Sequence, residues 1–230
     1  MPLPVKTKFG YDLRDVQNGD TPASASPFEG SRANEVMKLT ARHDGDTFRC
    51  VFAAKFPKAI YVLYVFQKKS HSGIATPQKD IDTVFARYPN KTLCSGSCRL
   101  RSRLRELGGA ASNRKAEMMT AEDLVTFEES SGNVFADFGI PDANEHLVKA
   151  DLALKIRQLL RERGLTQTEA ARLLGTSQAR VSELYNSKVA QMTYDRLLGW
   201  LNALGNDVQI TVVTLRADDP RQRGKTLISV

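Results

Sequence analysis

The sequence predicts an α+β fold, in which a small antiparallel sheet with flanking helices is followed by an all-α region and a final strand. Alternating apolar stretches separated by turn residues occur within residues 1–90, and apolar residues recur with helical spacing after residue 142. Charge also divides the chain: residues 1–118 carry a net +9 and residues 119–230 a net −2, together the +7 of the whole. We expect two domains, the first facing a polyanion such as RNA or an acidic partner, unless the asymmetry is ordinary solvated surface.

The first domain is predicted over residues 1–90. One or two helical turns over 9–16 and a polar loop over 18–30 come first, because Gly, Pro, Ser and Asp collect in the second segment. Strands are expected over residues 35–41, 47–54 and 59–66. An Asp-Gly pair at positions 44 and 45 predicts a hairpin between the first two strands.

The third strand is apolar on both faces, which predicts a central position in the sheet with cover on both sides. Its eight apolar residues form the longest such run and are too few to cross a membrane. A cationic loop follows, and Thr76-Pro77 is expected to begin a helix. No membrane partner is predicted.

Residues 91–141 are predicted to form a partly disordered linker. Cys94 and Cys98 could form half of a metal site, but no other Cys or His lies within twenty residues, so two free thiols are the preferred interpretation. We expect no metal ion and no cofactor. Three cysteines in a chain without an apolar leader indicate a reducing cytoplasm.

The second domain is predicted over residues 142–215, with a tail over 216–230. Asp142 with Glu145 is a cap signature for a helix that runs to Arg163 and ends at Gly164. Thr193 can cap a last helix carrying Leu197, Leu198, Leu201 and Leu204, with Trp200 in the core or at a dimer face. The alternation after it predicts a strand over residues 207–213 that pairs with its copy in a second subunit.

Between these helices lies the most specific motif of the chain. Thr166 and Glu169 form a capping box that starts a short helix, and Gly175 supplies a tight turn after it. Ser177 can cap a second helix whose Val181 and Leu184 point inward at a spacing of three. The opposite face of that helix is therefore free to contact a partner.

Residues 150–210 resemble the helix-turn-helix of the XRE (Cro-like, phage-repressor-like) family, with its lambda-repressor-like all-α fold. The resemblance implies binding to a palindromic DNA operator as a homodimer. Gln can pair with adenine and Arg with guanine, while an Ala methyl can touch thymine. The alternative is a helical packing module whose polar side chains are only solvated. The implied DNA-binding residues are Gln167, Thr176, Ser177, Gln178, Ala179, Arg180, Ser182 and Glu183.

The run FQKKSHSGIATPQKDID from Phe66 to Asp82, behind two strands and a hairpin, resembles the RelE/HigB-like toxins, which cleave RNA. The resemblance covers residues 9–88, and the second half then resembles HigA-type antitoxins. Toxins of this family carry a strand and a helix before the loop and a long charged helix at the end, so the toxin-like domain is predicted to be truncated. Residues 89–118 could be an out-of-frame segment.

Cleavage of RNA by its own 2′-hydroxyl needs a proton acceptor and cations that stabilise the charge growing on phosphorus. The candidates are Arg49, Lys68, Lys69 and His71. The resemblance ranks Arg49 and Lys68 ahead of His71, and the alternative is that the lysines and histidine merely solvate a strand end.

These observations predict a DNA-binding transcriptional regulator of the antitoxin type, fused to an inactive toxin-like domain and repressing its own toxin–antitoxin operon. The alternative is a self-inhibited endoribonuclease, with RNA or the ribosome as partner, whose second half is its antitoxin. A third interpretation is an interaction module that sequesters a related toxin.

Overall fold

In a computed structural model of the protein, residues 1–29, 36–56, 59–68, 76–88, 128–214 and 226–227 are described. The chain divides into two compact units. The first joins Met1–Ile74 to Ser130–Val230, and the second is Ala75–Glu129. The predicted sheet and the predicted helix-turn-helix therefore lie in the same unit.

The first unit begins with helix α1, Leu3–Gln17. Pro2 precedes it with φ −60°, a value that proline fixes and that suits the start of a helix. Val5, Phe9 and Leu13 recur every fourth residue and are buried, so they form one apolar face. The prediction of one or two turns over 9–16 was too short, because the first turn has few apolar residues to reveal its period.

The sheet has four antiparallel strands in the order β1-β2-β3-β4. The prediction of a plain loop over 18–30 was wrong, since β1 lies within it. The prediction that the third strand is central was also wrong: it is β4, an edge of this sheet, and Leu63 is its one buried residue among those described. Apolar side chains on both faces did not require a neighbour on both edges. The strands are β1 Ala25–Pro27, β2 Val36–His43, β3 Asp46–Phe56 and β4 Ala59–Lys68.

The hairpin between β2 and β3 is confirmed. Asp44 and Gly45 have φ of 49° and 82°, the left-handed conformation that a two-residue turn of this kind requires. The register pairs Leu39 with Cys50 and Ala41 with Phe48, and all four are buried. These side chains share one face of the sheet and join the core that also contains Phe9 of α1.

Among the described residues, the regular elements of the first unit after the sheet are helices, and their buried residues continue the same core. Thr193 caps the last helix, and Trp200 is 4% exposed, within the core. The short helix α3 lies inside the segment that the sequence assigns to the linker, and its Phe135 is fully buried. The helices are α3 Val134–Asp137, α4 Ala143–Glu162, α5 Gln167–Leu173, α6 Gln178–Tyr185 and α7 Tyr194–Ala203.

One prediction in this half is corrected. Asp142 precedes α4 in a left-handed conformation, φ 52°, and its side chain makes no cap hydrogen bond, so the predicted cap with Glu145 is not formed. The strand over residues 207–213 was predicted to pair with its copy in a second subunit; within this single chain the segment pairs with no described residue, so that prediction stays a prediction. Its Ile210 and Val212 are 75% and 89% exposed.

In the second unit, helix α2, Gln78–Ala86, follows Thr76-Pro77 as predicted. Gln78 donates to Asp82 one turn later at 2.8 Å, which supports the first turn of the helix. Among the described residues of the whole chain, no helix has the length and apolar content to cross a membrane.

Candidate nucleic-acid interface

The first helix of the predicted motif, α5, is fixed at its start by a reciprocal cap. The Thr166 amide donates to Glu169 Oε2 at 2.9 Å, and the Glu169 amide donates to Thr166 Oγ1 at 3.3 Å. Hydrogen bonds from Thr166 lower the pKa of the Glu169 carboxyl. The capping box is therefore confirmed, and Gly175, with φ 61°, makes the turn that follows α5.

The second helix, α6, presents the predicted inner and outer faces. Ser177 caps it by accepting a hydrogen bond from the Arg180 amide at 3.4 Å. Val181 and Leu184 are fully buried, whereas Ser177, Gln178 and Ala179 are exposed. The inward pair anchors α6 to the core, so its first turn projects into solvent, where the major groove of DNA could receive it.

The remaining outward side chains contact one another. Gln178 Nε2 donates to Gln167 Oε1 at 2.6 Å, which links the starts of α5 and α6. Arg180 Nη1 lies 2.8 Å from Glu183 Oε2. The predicted DNA-binding residues therefore form one surface, with Thr176 and Ser182 half-buried at its margin. Binding to bases requires them to exchange these mutual contacts for contacts with DNA.

Behind α6 lies a buried ion pair that sequence reasoning missed. Arg157 of α4 pairs through Nη2 with the Asp15 carboxylate of α1, and its Nη1 donates to the Leu184 carbonyl oxygen at 3.1 Å. Ser187, in the turn after α6, donates to Asp15 Oδ2 at 3.0 Å. Burial raises the pKa of the Asp15 carboxyl, and Arg157 and Ser187 oppose that rise.

Further contacts extend along α1. The Tyr11 hydroxyl and His146 Nδ1 share a hydrogen bond of 2.9 Å, and the Tyr11 ring packs edge-on against Phe135 at 4.9 Å between centroids. Arg14 donates two hydrogen bonds to Asp151, at 2.7 and 3.0 Å. Burial, and then the Glu145 carboxylate, raise the pKa of the Tyr11 hydroxyl. The first helix of the chain is therefore bound to the helical half.

The predicted catalytic residues are only partly described. Arg49 is 9% exposed, and its Nη1 lies 3.4 Å from Glu29 Oε2. Lys68 ends β4 and is half-buried. The register pairs Arg49 with Phe66 and Thr47 with Lys68, which places Arg49 and Lys68 on one face of the sheet. Lys69 and His71 lie outside the described residues, as do Cys94 and Cys98.

Comparison with known proteins finds two families, one in each half of the chain. Residues 134–213 match the model of a helix-turn-helix domain family, and residues 1–89 match the family of phage-derived Gp49-like proteins. A solved structure described as an XRE-family transcriptional regulator is 38% identical to the chain, with a TM-score of 0.33. The match covers 39% of this chain and 97% of the other. No curated protein is significantly similar to the chain.

Proposed function

We propose that this DNA-binding transcriptional regulator is of the antitoxin type and represses its own operon. The proposal starts from the membership of residues 134–213 in the XRE-like helix-turn-helix family. The exposed first turn of α6 carries the proposal. Ser177, Gln178 and Ala179 project from a helix whose back is fixed in the core, which is what reading of base edges requires.

The test is binding of the full chain to the DNA upstream of its own gene. Arg180→Ala is expected to weaken operator binding by about 1–3 kcal/mol and to relax specificity at one base pair. Arg196→Ala is the matched control, because Arg196 is an exposed arginine of α7 and does not belong to the predicted DNA-binding residues. Equal losses on operator and unrelated DNA would argue against base reading by Arg180.

We also propose that the regulator acts as a homodimer through residues 207–213. Val208, Ile210 and Val212 are exposed and alternate with polar residues, so two copies of this segment could pair as antiparallel strands. Two recognition helices would then reach successive major grooves of a palindrome. Sedimentation of Ile210→Asp should give a monomer; a dimer of unchanged stability would place the interface elsewhere.

A second candidate function is a ribonuclease held inactive by its own helix-turn-helix half. It is favoured by the Gp49-like match over residues 1–89 together with the contacts of α1 with α3 and α4. Phe135→Ala should loosen those contacts. If that variant arrests growth and cuts RNA, and if Arg49→Ala in the same chain abolishes both effects, the enzyme interpretation takes first place. If RNA remains intact, the regulator interpretation stands.

A further inference from the structure

The recognition helix is connected to the N-terminal half by a group of four residues, Asp15, Arg157, Leu184 and Ser187, which we call the α1 bridge. The side chains of Asp15 and Arg157 are 6% and 3% exposed, and Ser187 is also buried. Among these contacts, the guanidinium of Arg157 serves two partners at once. One is the carboxylate on α1, and the other is the carbonyl oxygen of Leu184 in the last turn of α6.

The α1 bridge makes two contacts near the C-terminal end of α6, one with the Leu184 carbonyl oxygen and one with the Ser187 hydroxyl. A cation there is favourable because the last carbonyl groups of a helix carry partial negative charge. Ser187 has φ 56°, a conformation that favours glycine, and its hydroxyl donates to the second oxygen of Asp15. One carboxylate from the N-terminal half thus orients both the arginine behind α6 and the turn that ends it.

Neighbouring ion pairs keep that carboxylate in place. Arg161 of α4 pairs with Asp20 just beyond α1, and Asp20 Oδ2 also lies 3.9 Å from Arg157 Nη2. Arg14 binds Asp151 close to the bridge, on the same two helices. The end of α1 is therefore fixed along α4, and a change in its position would be transmitted to Arg157.

We propose that Asp15 is a positioning residue for DNA recognition, because through Arg157 and Ser187 it sets the orientation of α6. The C-terminal half would then read DNA only while α1 of the N-terminal half is packed against it. This inference rests on the proposed DNA-binding function. Without the Asp15 carboxylate, Arg157 keeps the Leu184 carbonyl oxygen and has Asp20 Oδ2, 3.9 Å away, as its remaining carboxylate. A shift of the buried guanidinium towards Asp20 would also move the end of α6 that it holds.

The test compares Asp15→Asn with wild type in the full chain, measuring affinity for the operator and for unrelated DNA. Operator affinity is expected to fall about two- to thirtyfold, the range that such coupling networks transmit, while affinity for unrelated DNA stays within about twofold. Glu145→Gln is the matched control, because it also neutralises a carboxylate, but its partner Lys149 belongs neither to the α1 bridge nor to the neighbouring ion pairs. An unchanged ratio of the two affinities in a folded Asp15→Asn protein overturns the inference.

Two further measurements separate other outcomes. If Asp15→Asn does not fold, Asp15→Leu with Arg157→Met replaces the pair by apolar side chains, a change that buried ion pairs often tolerate. The same loss of specificity is expected in that variant, and retained specificity overturns the inference. If wild type shows no operator preference, the proposed function fails, and hydrogen exchange decides: faster exchange at residues 184–187 in Asp15→Asn supports the bridge, and unchanged exchange overturns it.

Discussion

Two Arg–carboxylate pairs lie on opposite sides of the recognition helix and have opposite surroundings. Arg157 and Asp15 have side chains that are 3% and 6% exposed, whereas those of Arg180 and Glu183 are 42% and 36% exposed. The first pair cannot exchange its partner for water or ligand, and the second can do so at little cost. The same chemistry therefore fixes the inner side of α6 and leaves its outer side open to solvent and to a ligand.

Removal of the buried cation should have the strongest effect on stability. Arg157→Ala is expected to lower the free energy of unfolding by about 3–5 kcal/mol, because it leaves the Asp15 carboxylate buried without its partner. Chemical denaturation of the full chain measures the effect. A loss below about 1 kcal/mol would mean that water or Ser187 satisfies Asp15 in its place.

A somewhat smaller effect is expected at Gly10, where α1 packs closely against α3. A Cβ at Gly10 would lie 2.7 Å from two ring atoms of Phe135, which is itself buried against Tyr11 and His146. Gly10→Ala should therefore destabilise the protein by about 1–3 kcal/mol, through overpacking.

Gly199→Ala is the matched control for that substitution. Gly199 also lies within a helix, but among the described residues nothing stands within 4 Å of the position that a Cβ would take there. The change should therefore stabilise the protein by about 0.5–1 kcal/mol through helix propensity. If Phe135→Leu restores stability to Gly10→Ala, the clash is confirmed as the cause. Equal effects at both glycines would contradict the close approach.

The contacts of α1 with His146 of α4 should also weaken in mild acid. Burial, and then the charge of Lys149, lower the pKa of His146 below its ordinary 6.5. The unfolded chain then takes up a proton at a higher pH than the folded one, so stability is lost as pH falls below about 6.5. Denaturation of wild type between about pH 7.5 and 5 should show this loss, and His146→Gln should reduce it. Tyr11→Phe should retain the dependence of the free energy of unfolding on pH, because His146 is still present in that variant and still titrates.

The smallest effect is expected at the exposed pair. Arg180→Ala should change the free energy of unfolding by less than about 0.5 kcal/mol, because Arg180 and Glu183 are one turn apart and solvated. The same variant serves in the DNA-binding test, so stability and recognition can be compared in one protein. A loss comparable to that of Arg157→Ala would remove the distinction between the two sides of α6.

The sequence predicts the helix-turn-helix well because its signals are local. Thr166 and Glu169 are three residues apart, and Ser177 caps a helix that starts at the next residue. Short-range hydrogen bonds of this kind depend on few other parts of the chain. The hairpin at Asp44 and Gly45 is predicted for the same reason.

The parts that the sequence does not reveal depend on distant partners. A single aspartate on α1 has no pattern that distinguishes it from a solvated one, and its partner Arg157 is far away in sequence. The edge position of β4 likewise depends on which strands pair with it, and the spacing of its apolar residues does not encode that. Gly10 is a signal that could have predicted one such contact, since a glycine inside a helix costs stability and often marks the close approach of another element, here the ring of Phe135.

The separation of Asp15 and Arg157 also has a consequence during synthesis of the chain. The two residues are 142 positions apart, so at about 5–20 residues per second the ribosome needs roughly 7–28 s between them. During that interval Asp15 lacks its counter-ion, and Arg14 lacks its partner Asp151 until shortly before the end. The contacts that fix α1 along α4 therefore form only after more than a hundred further residues have been added to the chain.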